Sequence, residues 1–325
     1  MKVVVLGGAG FIGSNLAEYL LKKKYEVIII DNLSTGRLEN IFDIKKNVKF
    51  IKADISKKGS WVKCFQSAKY VFHLAALADI VPSIDNPVKY YNSNVTGTLN
   101  VLEACKKYKI KKLIYAASSS CYGIPKNYPT KENENIDPKF PYAATKYLGE
   151  QLIFYWSKVY KINYISLRLF NVYGPKSRTS GTYGAMFGVF LAQKLAKVPY
   201  TMVGDGSQSR DFTYVDDVVR AFEIAAKSNL NNKIYNVGSD QTIKVKTIIK
   251  YLGGKYIKIP KRPGEPDITF ANIAKIKKDL NWKPKIGIKK GIGMLLKNIS
   301  YWKNAPVWTP KSIKDATKNW FKYLS

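Results

Sequence analysis

The chain has 325 residues, 46% hydrophobic and 24% charged. These proportions exclude wholesale disorder and suit two ordinary domains, or one large domain with an appended lobe. Three cysteines without CxxC spacing argue against a disulfide framework or zinc finger and for a reducing compartment, and a lone histidine, His73, excludes sites built on several histidines. Lys and Arg outnumber Asp and Glu 54 to 23, a net charge of +31. The lysines are scattered, as at Lys22–Lys24, Lys57-Lys58 and Lys277-Lys278. The charge therefore reads as solvated faces, with no nucleic-acid partner, while its field favours a polyanionic small substrate such as a nucleotide. The apolar run Val3–Leu6 is too short for a signal sequence, and no run reaches the ~18 residues of a membrane span. A cytoplasmic protein without a membrane partner is expected.

Apolar runs of strand length occur at Val3–Leu6, Val27–Ile30, Val48–Ile51, Tyr70–Leu74, Leu113–Ala117 and Tyr164–Leu167. Stretches of helical period, such as Ser14–Lys23 and Val95–Tyr108, lie between several of them. Continuously apolar strands alternating with helices predict an α/β, doubly wound parallel sheet covered on both faces. After Arg168 the pattern loosens into Gly- and Pro-punctuated segments, and Tyr235–Gly238 resembles a strand returning to the sheet. The expected organisation is an NAD-binding domain over 1–168 with a returning segment near 212–238. A smaller, loop-rich substrate lobe would be built from 169–211 and 239–300. The tail, 301–325, carries Trp302, Trp308, Trp320 and Phe321. That is too aromatic for a disordered end, so it should pack on the body or on a partner.

Gly7, Gly10 and Gly13 form GxxGxxG directly after the first strand and at the start of a helix. This is a shifted dinucleotide fingerprint: one glycine turns tightly, one lets the backbone approach a pyrophosphate, and one lets helix and strand pack closely. The helix N-terminus then offers unpaired N–H groups to the phosphates. Asp31 ends the second run, 18 residues after Gly13. A carboxylate there accepts from ribose hydroxyls and repels a 2′-phosphate, which favours NAD over NADP, although Arg37 is close enough to soften the preference. Asp54-Ile55 after the third strand could meet the adenine, and Asp54 could equally cap a helix. Tyr142 and Lys146 form YxxxK, one turn apart on a predicted helix, so phenol and ammonium share a face. A neighbouring cation favours phenolate and suits the tyrosine to general-base work. Ser118, at the end of the fifth strand, can hydrogen-bond the oxygen that the tyrosine deprotonates.

The ordered motifs GGAGFIG (7–13), DNLSTG (31–36), HLAA (73–76), SSSCYG (118–123), YAATK (142–146), RLFNVYGP (168–175), GDGSQSRDFTYVDDV (204–218) and RPGEPD (262–267) resemble the extended short-chain dehydrogenase/reductases that act on nucleotide sugars. The likeness runs from Met1 to about Ile299 and is nearest to the UDP-hexose 4-epimerases. It implies Tyr142 as acid/base, Lys146 on the nicotinamide ribose and Ser118 as the catalytic serine. NAD contacts are implied at Gly7, Gly10, Phe11, Ile12, Gly13, Asp31, Asn32, Ser34, Gly36, Asp54, Ile55, Leu74, Ala75, Ala76 and Asn94. Ser118, Ser120 and Tyr142 would meet the sugar. Asn171, Arg210 and Arg262 would hold the nucleotide diphosphate and Glu265 the nucleotide ribose. The arginine forks suit that task in their own right.

Among the family's chemistries, dehydration needs Asp-Glu where this chain has Ser119-Ser120. The related decarboxylases carry Glu at Ser120, and the Cys of fucose-type epimerases is out of register with Cys121, which reads as packing. The remaining outcome is 4-epimerisation of UDP-glucose/UDP-galactose or their N-acetyl forms. The alternatives are a UDP-glucuronate 4-epimerase, another nucleotide-sugar dehydratase and, remotely, a non-catalytic NAD sensor. Thr269, six residues before Lys275, stands where glucose-restricted enzymes carry a bulky tyrosine, leaving room for an N-acetyl group. Arg178 aligns with the arginine that meets the carboxylate in glucuronate enzymes, whereas Asn171, often Thr in them, favours a neutral hexose. His73 reads as a structural, hydrogen-bonded histidine. No metal is expected. The helices Val95–Tyr108 and Tyr142–Tyr160 would pair across a homodimer, as they do in the family.

Overall fold

The computed structural model describes residues 1–177 and 185–324. Arg178, a candidate carboxylate contact, lies outside the described residues. Seven parallel strands form one sheet. β1 (Lys2–Leu6) is followed by β2 (Glu26–Asp31), β3 (Val48–Lys52), β4 (Tyr70–His73), β5 (Lys112–Ser118) and β6 (Tyr164–Leu169), and Lys233–Val237 returns to the far edge. The spatial order is β3-β2-β1-β4-β5-β6, then the returning strand. Side-chain alternation explains the continuous apolar runs. Val3 and Val5 enter one core while Val4 and Leu6 enter the other, and Ile29 is divided from Ile28 and Ile30 in the same way. Both faces need helices, as a doubly wound sheet requires.

Helix α1 (Phe11–Lys22) buries Gly13, Leu16, Ala17 and Leu20, the one face that helical spacing makes apolar. It packs beside the helix Val215–Lys227. The order reverses between β1 and β4, so the crevice that this topology opens to ligands lies at their carboxyl ends.

Beyond β6 the chain forms three two-stranded pairs: Asn171–Tyr173 with Phe212–Tyr214, Ser209–Arg210 with Ile243–Lys244, and Tyr200–Val203 with Tyr256–Ile259. Stacked Tyr173 and Phe187 (4.8 Å between rings), with Phe212 and Tyr214 edge-on to Tyr173, fill the space between the first pair and the helix Met186–Leu195. Part of the segment expected in the lobe packs on the sheet domain instead. The Trp282 indole donates to the Asp217 carbonyl (3.0 Å), and the Lys285 and Ile286 N–H groups donate to the Asp217 carboxylate (2.9 Å each). The Lys275 ammonium reaches the Ile234 carbonyl (2.8 Å). This stretch, the short helix Ala274–Leu280 and the turn-rich segment after it, is thus tied to the helix Val215–Lys227 and the edge strand. No helix among the described residues is long and apolar enough to cross a membrane.

Candidate active site

Gly7 follows β1 with φ +76°, a left-handed conformation that glycine adopts without strain. A Cβ there would lie 2.7 Å from the Ala75 nitrogen, so the backbones of Gly7 and Leu74-Ala75 touch across the switch-point crevice. A Cβ on Gly13 would run into the Gly7 carbonyl, which makes glycine the residue that allows α1 to approach the strand. Gly10 caps α1 without a side-chain hydrogen bond. The first-turn N–H groups, from Phe11 and Ile12 onward, therefore have no intrahelical acceptor and stand at the positive end of the dipole.

Asp31 closes β2 and is 7% exposed. One carboxylate oxygen accepts from the Ala9 N–H (2.9 Å) and the other from the Leu33 N–H (2.8 Å). A Cβ on Gly36 would stand 2.8 Å from both oxygens, so a larger residue would displace the carboxylate. Burial raises the Asp31 pKa against the pull of these N–H groups. Each oxygen keeps a lone pair for a ribose hydroxyl. Asn32 accepts from the Ser34 N–H (2.9 Å) and stands beside Asp54. Asp54 accepts from the Ser56 N–H and hydroxyl (2.9 and 2.7 Å). It thus caps a turn rather than the helix allowed for from sequence. Burial opposes its charge, but these bonds outweigh the cost and hold its pKa low. Ile55 is buried, and its carbonyl accepts from the Asn100 amide (2.8 Å). The glycine cradle, the uncapped helix end and the oriented carboxylate fit a dinucleotide.

Asn94, expected to meet the cofactor, makes three hydrogen bonds within the protein. It is 1% exposed, accepts from the Leu77 N–H (2.8 Å), and donates to the Leu77 carbonyl and the Thr145 hydroxyl (3.0 Å each). Both amide hydrogens are used within the protein, so Asn94 fixes the loop after β4, which contains Ala76, to the helix that carries Lys146.

That helix, Pro141–Tyr160, starts with Pro at its first turn, where a missing N–H costs nothing. Tyr142 and Lys146 project from it one turn apart. The Tyr142 hydroxyl faces Ser118 and Ser120, whose own hydroxyls are 2.8 Å apart. Burial raises the Tyr142 pKa, and the two serines oppose the rise. Lys146 is 4% exposed. Burial pulls its ammonium down to about 7, with the Glu150 charge resisting.

Several further residues support Lys146. The Lys146 ammonium lies 4.2 Å from the centre of the Tyr115 ring, and the Tyr115 hydroxyl donates to the Lys146 carbonyl (3.1 Å). Thr98 bonds His73 Nε2 (2.9 Å) and the Asn94 carbonyl (2.6 Å). His73 is wholly buried and its pKa is depressed to about 3 by desolvation and the Lys146 charge. It is neutral and structural. Glu150, one turn beyond Lys146, pairs with Arg168 (2.6 Å), both nearly inaccessible.

On the nucleotide side, Arg210 is 8% exposed and donates to Glu265 (2.9 Å) and to the Ser209 and Asp267 carbonyls (3.0 and 3.2 Å). Arg262 stands 3.7 Å from the other Glu265 oxygen. That oxygen, Oε2, is buried without a hydrogen-bond partner, an acceptor suited to a ligand hydroxyl. Asn171 is exposed, and its side-chain oxygen accepts from the Thr269 hydroxyl (2.8 Å). Asp211, beside Arg210, accepts from the Ser239 and Ala271 N–H groups (2.6 and 3.1 Å). It ties the Arg210 strand to the segment after Thr269, and burial pushes its pKa up to about 6.

Residues 3–238 match the family model described as the NAD dependent epimerase/dehydratase family. The chain belongs to that family. It is an NAD-dependent enzyme of the nucleotide-sugar epimerase group, and NAD is its cofactor. Among similar solved structures is a UDP-glucose 4-epimerase from Thermotoga maritima with UDP-glucose, 32% identical over 94% of this chain and 99% of that one, TM-score 0.87. A UDP-N-acetylglucosamine 4-epimerase from Methanobrevibacter ruminantium is 33% identical over 91% and 98%, TM-score 0.84. A UDP-glucuronic acid 4-epimerase from Bacillus cereus, in complex with UDP-glucuronic acid and NAD, is 33% identical over 92% and 99%, TM-score 0.85. Glu150 and Asp211 were findable: each lies at a fixed step from a motif residue, Lys146 and Arg210. Tyr115 and Thr98 were not, because Tyr115 meets Lys146 only through the packing of strand on helix and Thr98 meets His73 only through the packing of another helix.

Proposed function

We propose that the chain is a 4-epimerase of UDP-linked hexoses, acting on UDP-glucose/UDP-galactose or their N-acetyl forms. The observation that carries this reading is the cluster of Tyr142 with Ser118 and Ser120, which holds one proton-transfer residue and no carboxylate at 119–120. Tyr142, as phenolate, takes the proton of the sugar 4-hydroxyl, and Ser118 steadies that oxygen by hydrogen bonding. Lys146 holds the nicotinamide ribose, and in its charged form it favours the phenolate. When bound, NAD supplies the reversible hydride acceptor that the reaction needs. Tyr142 returns the proton after the 4-ketose has turned its other face to the ring, so no further acid or base is required.

Arg210 and Arg262 are read as the diphosphate clamp, with Asn171 assisting, and the Glu265 oxygen that lacks a hydrogen bond as the acceptor for a nucleotide ribose hydroxyl. Thr269, small and bonded to Asn171, supports room for an N-acetyl group. A homodimer is part of the reading. Leu148, Tyr155 and Val159 are exposed along one side of the helix Pro141–Tyr160, with Val88 and Tyr91 exposed on the short helix packed against it. Light scattering on the purified protein checks this, and a monomer at working concentration refutes it.

The deciding experiment incubates the protein separately with UDP-glucose, UDP-N-acetylglucosamine and UDP-glucuronate, without added NAD, and follows the anomeric protons by NMR. A galacto-configured product from a neutral hexose supports the reading. Turnover of UDP-glucuronate alone, or a 4-keto-6-deoxy product, overturns it.

A further inference from the structure

The segment after Asn298, which the functional reading leaves without a role, runs from the cofactor loop to the nucleotide loop. At its start the Tyr301 hydroxyl donates to Asn40 (2.8 Å), and the Asn40 amide donates to the Ala9 carbonyl in the glycine turn (2.9 Å). At its end lies the helix Lys318–Leu324. There Trp320 is 2% exposed, and its indole N–H donates to the Pro263 carbonyl (2.8 Å). The Arg262 guanidinium lies 5.5 Å from its ring centre. The Trp320 ring also stands edge-to-face with Phe140 (5.2 Å between centres), two residues before Tyr142. Asn319 donates to Asp85 (2.8 Å) on the sheet-domain side. One side chain thus joins the loop that carries Arg262 and Glu265 to the start of the catalytic helix.

We propose that Trp320 is a positioning residue for nucleotide binding: by holding the backbone at Pro263 and facing the Arg262 guanidinium, it sets the grip on the nucleotide diphosphate. The inference rests on the assignment of Arg262 to the nucleotide. An arginine side chain loses much rotamer freedom when it binds a phosphate, and one already held against an indole has less to lose. The hydrogen bond acts on the loop and the ring acts on the guanidinium, so both are lost in Trp320→Ala.

The test is the affinity of the NAD-containing protein for UDP by calorimetry, with KM and kcat for the sugar nucleotide. Trp320→Ala should weaken UDP binding and raise KM about tenfold, with kcat and bound NAD unchanged. Trp320→Phe, which keeps a packed ring but loses the N–H, should weaken binding ~3-fold and covers the case in which the alanine variant does not fold. Arg262→Ala should also weaken UDP binding, and the double variant should lose clearly less than the sum of the two, because Trp320 acts largely through that arginine. Normal UDP affinity in both Trp320 variants, beside weakened binding in Arg262→Ala, overturns the proposal while the nucleotide assignment stands. Additive losses, or a fall in kcat that parallels the thermal midpoint, also overturn it and make Trp320 a packing residue only. Unchanged binding in Arg262→Ala, or no UDP binding by the wild type, overturns the nucleotide assignment and the proposal with it.

Discussion

His73 allows a sharp test because it is the only histidine in the chain. It is fully buried, with one ring nitrogen bonded to Thr98 and the other, Nδ1, without a partner. Desolvation depresses its pKa from 6.5 to about 3. The unfolded chain therefore takes up a proton below pH 6.5 that the folded protein refuses until about pH 3. Stability falls as pH falls through that window, and it is unaffected by this group above it. Between pH 7 and pH 5 the loss is about 2 kcal/mol, from a shift of 1.36 kcal/mol per pKa unit over the part of the window crossed. Urea unfolding of wild type and His73→Gln, measured across pH 5 to 7, isolates the contribution, because the carboxylates are common to both. The variant is expected to be less stable at pH 7, having a flexible amide in place of the ring that packs against Thr98 and Tyr115, but its pH slope should be shallower by that amount. Parallel slopes would refute the reasoning. They would show that the folded protein protonates His73 at no cost, and so that water or an acceptor reaches Nδ1.

Glu150→Gln should destabilise the protein by about 3–5 kcal/mol, since it leaves the Arg168 guanidinium buried without its countercharge; a loss below 1 kcal/mol in urea unfolding contradicts this. Tyr142→Phe should lower kcat about 10²–10⁴-fold while NAD remains bound, because it removes the proton acceptor and leaves the ring; rapid turnover, or loss of NAD from the purified variant, counts against its role. Gly13→Ala should abolish NAD retention or folding, because the added carbon meets the Gly7 carbonyl; a variant purifying with full NAD refutes the close-packing argument. In the protein freed of NAD, the depressed Lys146 pKa of about 7 means the unfolded chain holds an extra proton between pH 7 and its ordinary 10.5. Stability should therefore rise with pH across that window, and Lys146→Met should remove the rise, as thermal melts at pH 7, 8 and 9 would show.

The strands, the glycine turn, Asp31 and the pairing of Tyr142 with Lys146 were legible in the sequence because each is a local pattern. Apolar runs report burial on both faces of a sheet, glycine spacing reports a turn, and a step of four reports one helix face. Less legible were the limits of the lobe. Residues 275–286 look like loop, yet they satisfy Asp217 and the edge strand, and a chain's partner across 60 residues leaves no periodic trace. Asn94 shows the same limit from the other side. Its place in a motif suggested a cofactor contact, while its two amide hydrogens are taken by Leu77 and Thr145. The environment of Lys146 was decided by tertiary structure alone. Only when β5 meets the catalytic helix does Tyr115 come under the ammonium and burial pull its pKa down. Composition and spacing determine which groups can do the chemistry. Their charge states depend on what displaces water around them, and that is settled by packing.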